Sequence, residues 1–425
     1  MPPRKSPWKK IQKALQSPFH LWLLVMSLCA LLSLLITVLT NGEWLASALY
    51  RQGKNFIADY SMHVLYAQQP AELYGLSAHA SFPPLAYALY TLLYRVSPLP
   101  AQADIAVGVV PASYPAMLVH FVYIALLCSV FTLLLRRFLR DTPLWKAGLC
   151  TILVLVSNVF IVGILERGNS AWLALVLLMA ALLLRDSPSK ARREAALFCI
   201  AIAAGFKLYP ALFGLLYFKE KRYPEALRLL LYGLALFFLP FFFFGGMDAI
   251  GQFFQNQSII HIAASKWTVG SASVRAVSSA LGVFGLTLPP AAISVVRQSA
   301  FLLFIVISLM LFWSVRSQPL WKDILLLVGI MVLAPSWSGV YTFPYFLLPM
   351  LLLFGNQEKE KSPISRVYAL FFAGVFVSLL VFSYGAVEWI AALSAYALVF
   401  LVWSERARKF RLRRGNPPAD GDGNV

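Results

Sequence analysis

The segment Asp59-Tyr60-Ser61-Met62-His63-Val64-Leu65-Tyr66 holds an acid, an imidazole and a phenol at helical spacing. With His63 at i+4 and Tyr66 at i+7, the three share one face of a helix. Such a set can take a proton from a hydroxyl. The same pattern also fits an interfacial helix whose Asp59 is simply solvated. Lys207 stands alone inside the apolar run Ala203-Ala204-Gly205-Phe206-Lys207-Leu208-Tyr209-Pro210-Ala211. A charge there costs about 2.5–3.5 kcal/mol on insertion scales, so it faces a cavity or a partner, or it snorkels to nearby headgroups. Glu166-Arg167-Gly168-Asn169 reads as a tight turn between two apolar blocks, with Ser170 capping the next helix. Arg167 and that helix's positive end can meet a phosphate there; a glycine turn with Glu166 and Arg167 paired to each other is the plainer alternative. Pro335-Ser336-Trp337-Ser338-Gly339-Val340-Tyr341 is a second turn, rich in rings that belong at membrane interfaces and also stack on sugar faces. Arg275, in Ser271-Ala272-Ser273-Val274-Arg275, is a further cation for a phosphate, or a solvated side chain.

What positions these groups is a series of apolar blocks. Hydrophobic residues make up 60% of the 425-residue chain and mean hydropathy is +0.73, too apolar for a water-soluble globule of this size. Long blocks with almost no charge are what a bilayer requires of spanning helices. Leu21 to Thr40 reads as a retained first span, too long and poorly flanked for a cleavable signal peptide. The expected fold is an all-α polytopic membrane protein with ten full crossings, near 20–40, 114–135, 145–165, 170–184, 226–244, 298–316, 321–335, 340–354, 366–384 and 387–403. The segment 195–218 has basic loops on both sides, so it should begin and end on one side of the membrane. It is too short for two full crossings, and two short helices meeting near Phe206 to Pro210 satisfy both constraints. Pro210 favours the break. The span-bearing region, 20–404, reads as one domain between a basic segment, 1–19, and a basic, partly disordered tail, 405–425. Its external loops are 41–113 and 246–297. The first holds an apolar stretch, Phe82 to Val96, opened by Pro83-Pro84 and suited to an interfacial helix.

The net charge of +18 encodes orientation. Assigning alternate loops to opposite sides puts 28 of the 36 Lys and Arg on one face, which the positive-inside rule makes cytoplasmic. Both termini are then cytoplasmic, the sites above are extracytoplasmic, and the basic face meets anionic lipid headgroups. No nucleic-acid motif accompanies the charge. Cys29, Cys128, Cys150 and Cys199 all lie in apolar blocks as packing residues. Neither a Gly-rich phosphate loop nor a metal-ligand spacing occurs, so no metal or cofactor is expected.

Taken in order, these pieces resemble glycosyltransferase family 87. Asp59-Tyr60, Leu73-Tyr74 and Phe82-Pro83-Pro84-Leu85 are similar to the family's first external loop. So is Glu166-Arg167-Gly168-Asn169 before an apolar span, and so is Ala203 to Ala211 with its basic flank Lys219-Glu220-Lys221-Arg222. Order and spacing agree from about residue 20 to 400, with the closest likeness to members from Gram-positive bacteria. The resemblance implies the GT-C membrane fold, a polyprenyl-phosphate-linked sugar as donor, and Asp59 as the base. Some mannosyl-transferring members carry paired histidines where this chain has Ser336 to Tyr341, which leaves the sugar as mannose or another hexose.

The expectation is therefore a cell-membrane hexosyltransferase passing sugar to an extracytoplasmic glycan or glycolipid, with inversion at C1. Asp59 would be catalytic. Lys207, Arg167 and Arg275 would bind the leaving phosphate, with His63, Glu166, Asn169, Tyr209 and Tyr341 around the substrates. Rival expectations are a flippase or transporter for a lipid-linked saccharide, and a polysaccharide polymerase or ligase. A transporter usually shows internal repeats, and none is found at a fixed period.

Overall fold

The computed structural model describes residues 16–48, 57–77, 79–96, 114–264, 285, 289–315, 319–335, 339–356, 362–377 and 384–415, and among them all regular structure is helical. The principal helices are α1 (Pro18–Leu39), α2 (Ala58–Tyr66), α3 (Pro84–Val96), α4 (Tyr114–Phe138), α5 (Leu144–Leu155), α6 (Ala171–Leu184) and α7 (Lys190–Phe206). They continue as α8 (Tyr223–Phe238), α9 (Gly246–Ala264), α10 (Pro290–Ser314), α11 (Leu320–Leu333), α12 (Leu347–Gly355), α13 (Pro363–Val375) and α14 (Tyr384–Gly415).

Among the described residues, four helical segments are long and apolar enough to cross a membrane: Pro18–Leu39, Tyr114–Phe138, Tyr223–Phe243 and Trp389–Phe410. A fifth arises if Leu144–Leu155 and Asn158–Glu166, bent by 55° at their junction, count together. The other five expected crossings coincide with shorter apolar helices, among them Ala171–Leu184, Gln298–Ser314, Val340–Gly355 and Pro363–Val375, and with α11. Burial explains the division. Two of the short helices, α11 and α12, are apolar all round and lie inside: every residue of α11 from Trp321 to Leu333 is buried, as is nearly all of α12, whereas Gln298–Ser314 leaves Leu302, Leu303 and Met310 exposed. The long ones are peripheral and leave Leu28, Leu31 and Val38 of α1, and Leu118, Leu126 and Leu133 of α4, exposed. Facing water, those side chains would forfeit about 25 cal/mol per Å²; facing acyl chains they lose nothing. Several such helices make this a membrane protein.

The expected break at Lys207 is present. Lys207 N still donates to Ala203 O at 3.0 Å, ending α7, but its own backbone is extended (φ −146°, ψ 125°). The chain re-forms as the 3₁₀ turn Tyr209–Phe213 and the helix Gly214–Lys219, with Pro210 in the first turn, where its missing N–H costs nothing. The two ends of this excursion meet. Arg185, just before α7, pairs with Glu220, and Arg222 Nη1 donates to Asp186 Oδ1 at 3.0 Å. The segment thus leaves and returns to one end of the bundle with Lys207 near its tip.

The first loop is assembled on α9 and on the turn before α6. Asn256 Nδ2 donates to Tyr74 O at 2.8 Å and Ala80 O at 3.0 Å, Gln257 Nε2 donates to Ser81 O, and the Tyr74 hydroxyl donates to Phe82 O at 2.9 Å. These bonds fix the chain that presents Phe82. The helix expected after Pro83-Pro84 is α3.

Candidate active site

The backbone of α2 is docked on the Glu166–Asn169 turn. Ile57 N donates to Glu166 O at 2.6 Å, and Asp59 N donates to Arg167 O at 3.0 Å. Ile57 itself sits at φ +54°, a left-handed conformation that costs a branched residue about 1–2 kcal/mol and persists because this docking overdetermines it. Gly168, at φ +72°, makes the approach possible: a Cβ there would fall 2.6 Å from Tyr60 Cβ and 3.2 Å from His120 Cε1. On the other flank the chain before the turn is a π-helix, Ile161–Glu166, in which a Cβ on Gly163 would lie 2.7 Å from Tyr341 Cα. Close backbone approach therefore brings residues near 59, 167 and 341 together.

Asp59 is at the centre. Arg167 Nη2 donates to Oδ1 at 3.0 Å and Asn169 Nδ2 donates to Oδ2 at 2.8 Å. Asn169 is oriented in turn by Ala171 N, which donates to its Oδ1 at 3.0 Å. Burial alone would raise the Asp59 carboxyl; the Arg167 charge and the hydrogen bonds from Arg167 and Asn169 outweigh it and hold the group below its ordinary value. Arg167 pairs with Asp59, and Glu166, which is buried, joins the site through its main-chain carbonyl.

Lys207 is buried beside this pair. Its Nζ lies 3.5 Å from the Phe82 ring centroid and 5.6 Å from that of Tyr341, while the Arg167 guanidinium lies 5.2 Å from the same Tyr341 ring. Among the described residues no carboxylate comes within ion-pair distance of Lys207. Tyr341 is thus shared by two cations, and Tyr209 packs one layer away, edge-on to Tyr345 at 5.4 Å.

His63 is close but differently engaged. Its ring stacks on Phe82 at 3.8 Å, and its Nδ1 is 3.0 Å from the Tyr87 hydroxyl. Burial, aided by the nearby Lys207 charge, brings its pKa down to about 3 against the pull of Asp59, so the ring is neutral at pH 7. Asp59 and His63 share a helix, yet the carboxylate meets the turn before α6 and the imidazole meets α3 and the Phe82 loop. Arg275 and Ser336 to Ser338 lie outside the described residues.

Three contributors escaped the sequence. Phe82 supplies the ring under Lys207, and Tyr87 fills the hydrogen-bonding site of His63. His120 of α4, fully buried, donates from Nε2 to Leu165 O at 3.2 Å and packs its ring 5.0 Å from Tyr60, bracing the turn from below. The intramembrane-polar rule that singles out Lys207 finds His120 as well, since it interrupts the apolar block at 114–135.

The result is an ionised carboxylate aimed by an amide, flanked by two cations on aromatic faces. Such a place can accept a hydroxyl proton on one side and hold an anion on the other. No curated protein and no solved structure matches the chain. The family model for glycosyltransferase family 87 matches residues 80–336, well over half of the sequence. That stretch carries Phe82, Arg167, Asn169 and Lys207, and the chain folds Asp59 and Tyr341 onto it from either side. The chain belongs to glycosyltransferase family 87.

Proposed function

We propose that this glycosyltransferase moves a hexose from a polyprenyl-phosphate carrier to an extracytoplasmic glycan or glycolipid, with inversion at C1. The observation that carries the proposal is the juxtaposition of Asp59 with Arg167 and Lys207, the latter a buried lysine with aromatic neighbours and no carboxylate partner among the described residues. A buried cation needs an anion, and a sugar phosphate ester brings one. Asp59 takes the acceptor hydroxyl proton as the oxygen forms its bond to C1. The bond from C1 to the phosphate oxygen breaks, and its electron pair leaves on the polyprenyl phosphate. Lys207 and Arg167 neutralise that developing charge, where exclusion of water makes electrostatics most effective. Tyr341 and Phe82 offer ring faces to the sugar, and Asn169 keeps the base aimed.

Topology supports the same assignment. The turn bearing Arg167 and the cluster of Arg185, Asp186, Glu220 and Arg222 lie at opposite ends of α6, about 21 Å apart at 1.5 Å per residue. With the basic cluster cytoplasmic, the site is extracytoplasmic in the cell membrane, and all ten apolar segments cross with the Lys207 excursion re-entrant. The test is incubation of the purified protein with radiolabelled polyprenyl-phosphate hexoses and the envelope lipid and glycan fraction of the source cell. Label should pass to an acceptor as free polyprenyl phosphate accumulates. A donor that crosses the bilayer of proteoliposomes intact, with no label transferred, would establish a flippase instead.

A further inference from the structure

We propose that Arg167 is exchanged between two anions: in the resting protein it holds Asp59, and the phosphate of the donor draws it away, releasing the carboxylate to act as base. The proposal rests on the phosphate-linked donor argued above. In the resting arrangement Arg167 Nη2 occupies Oδ1 of Asp59 and Asn169 Nδ2 occupies Oδ2. A carboxylate so held is ionised but a weak proton acceptor, because protonation must break a charge-assisted bond. The base therefore strengthens only if one of these donors leaves. Asn169 is anchored to the start of α6 by Ala171 N, so it stays and keeps the carboxylate aimed. Arg167 is the one that can move.

Its destination is set by Tyr341. Arg167 and Lys207 both lie against this ring, at 5.2 and 5.6 Å from its centroid, so an anion bound at Lys207 is within reach of the guanidinium. The two like charges repel each other, and an anion between them relieves that repulsion. A guanidinium grips a phosphate through paired N–H groups at least as well as it grips a carboxylate. The exchange couples the base to the presence of the donor: without carrier lipid, Asp59 remains neutralised and inert.

The groups facing Asp59 are Arg167 and Asn169 from the turn, His63 from α2, Lys207 from the α7 break, Tyr90 from α3 and Tyr341 from the 340–346 turn. Only Arg167 is proposed to change partner, so its substitution isolates the effect. The experiment uses the full chain with Cys29, Cys128, Cys150 and Cys199 replaced by Ala and with Asp59→Cys as the reporter. Alkylation rate against pH gives the midpoint of the new thiol, with and without saturating geranylgeranyl phosphate whose binding is measured in parallel. Without lipid the midpoint should lie below the ordinary thiol value of about 8.5. Lipid should raise it by at least one pH unit more in the Arg167 protein than in an Arg167→Gln background, a tenfold difference in thiolate. Equal shifts in the two backgrounds, with lipid bound, overturn the exchange and leave the donor assignment standing. Absence of lipid binding overturns the donor assignment and the exchange with it. Should the cysteine reporter not fold, the pH midpoint of carbodiimide coupling at native Asp59, read by mass spectrometry with and without lipid, must show the same difference; no difference refutes the proposal.

Discussion

Gly168→Ala should uncouple the site without touching any group that reacts. At φ +72° an alanine is strained by about 1–2 kcal/mol. Its methyl would also lie 2.6 Å from Tyr60 Cβ and 3.3 Å from Tyr60 N, both on the rigid α2 helix, and overpacking of that kind typically costs about 1–3 kcal/mol. The sum, about 2–5 kcal/mol, is borne by the bonds that dock α2, Ile57 N to Glu166 O and Asp59 N to Arg167 O. They should loosen and carry Asp59 away from Asn169 and the two cations. A displacement of about 1 Å lowers an oriented reaction by roughly 10²-fold. The assay pairs thermal denaturation in detergent with transfer of label from donor to acceptor. Gly233→Ala is the control, since a Cβ there meets nothing within 4 Å, and helix propensity favours it by up to about 1 kcal/mol. Gly168→Ala with the Tm and turnover of the unmodified protein would refute the claim that this close approach builds the site.

Lys207→Met should fold normally, because Met fits the Phe82 and Tyr341 rings, but bind donor about ten- to a hundredfold more weakly, the worth of a charged hydrogen bond; an unchanged Kd would remove Lys207 from the site. The pH profile of kcat/KM, which reports the free enzyme, should have its acid limb below the ordinary Asp value of about 3.9, because Asp59 is held ionised. His63 should contribute no step near pH 6.5, since it stays neutral until about pH 3; a step there that vanishes in His63→Gln would contradict the geometry. Single cysteines at positions 166 and 190 should be labelled by membrane-impermeant reagents from opposite sides, and labelling of both from one side would overturn the orientation.

Local features of the site were legible because local physics produces them. A lysine within an apolar run, followed by Pro210, announces a broken helix, and Lys207 ends α7 as expected. Gly168 announces a turn. Partners across the chain were not legible. Arg167 meets Asp59 across 108 residues, and Lys207 meets a ring at position 82, because α2, the Phe82 loop and the α7 break converge on one end of the bundle. Periodicity also placed Asp59 and His63 correctly on one helix while saying nothing of what each would face. Crossings were legible as apolar blocks, but whether a block becomes a long peripheral helix such as α1 or a short interior one such as α11 depends on its neighbours.

Transfer by Asp59→Asn, measured beside His63→Gln with a labelled polyprenyl-phosphate hexose, tests the central claim most directly. Asn keeps the shape and can still accept from Arg167 or from Asn169 through its one oxygen, with its NH2 facing the other donor, but it cannot take a proton. Transfer should fall by about 10²–10⁴-fold in Asp59→Asn while donor stays bound and the protein stays folded. His63→Gln should retain substantial turnover, since the imidazole is buried against Phe82 and Tyr87. Loss in His63→Gln with normal transfer in Asp59→Asn would move the chemistry to the imidazole, and normal transfer in both would contradict a catalytic site on the first loop.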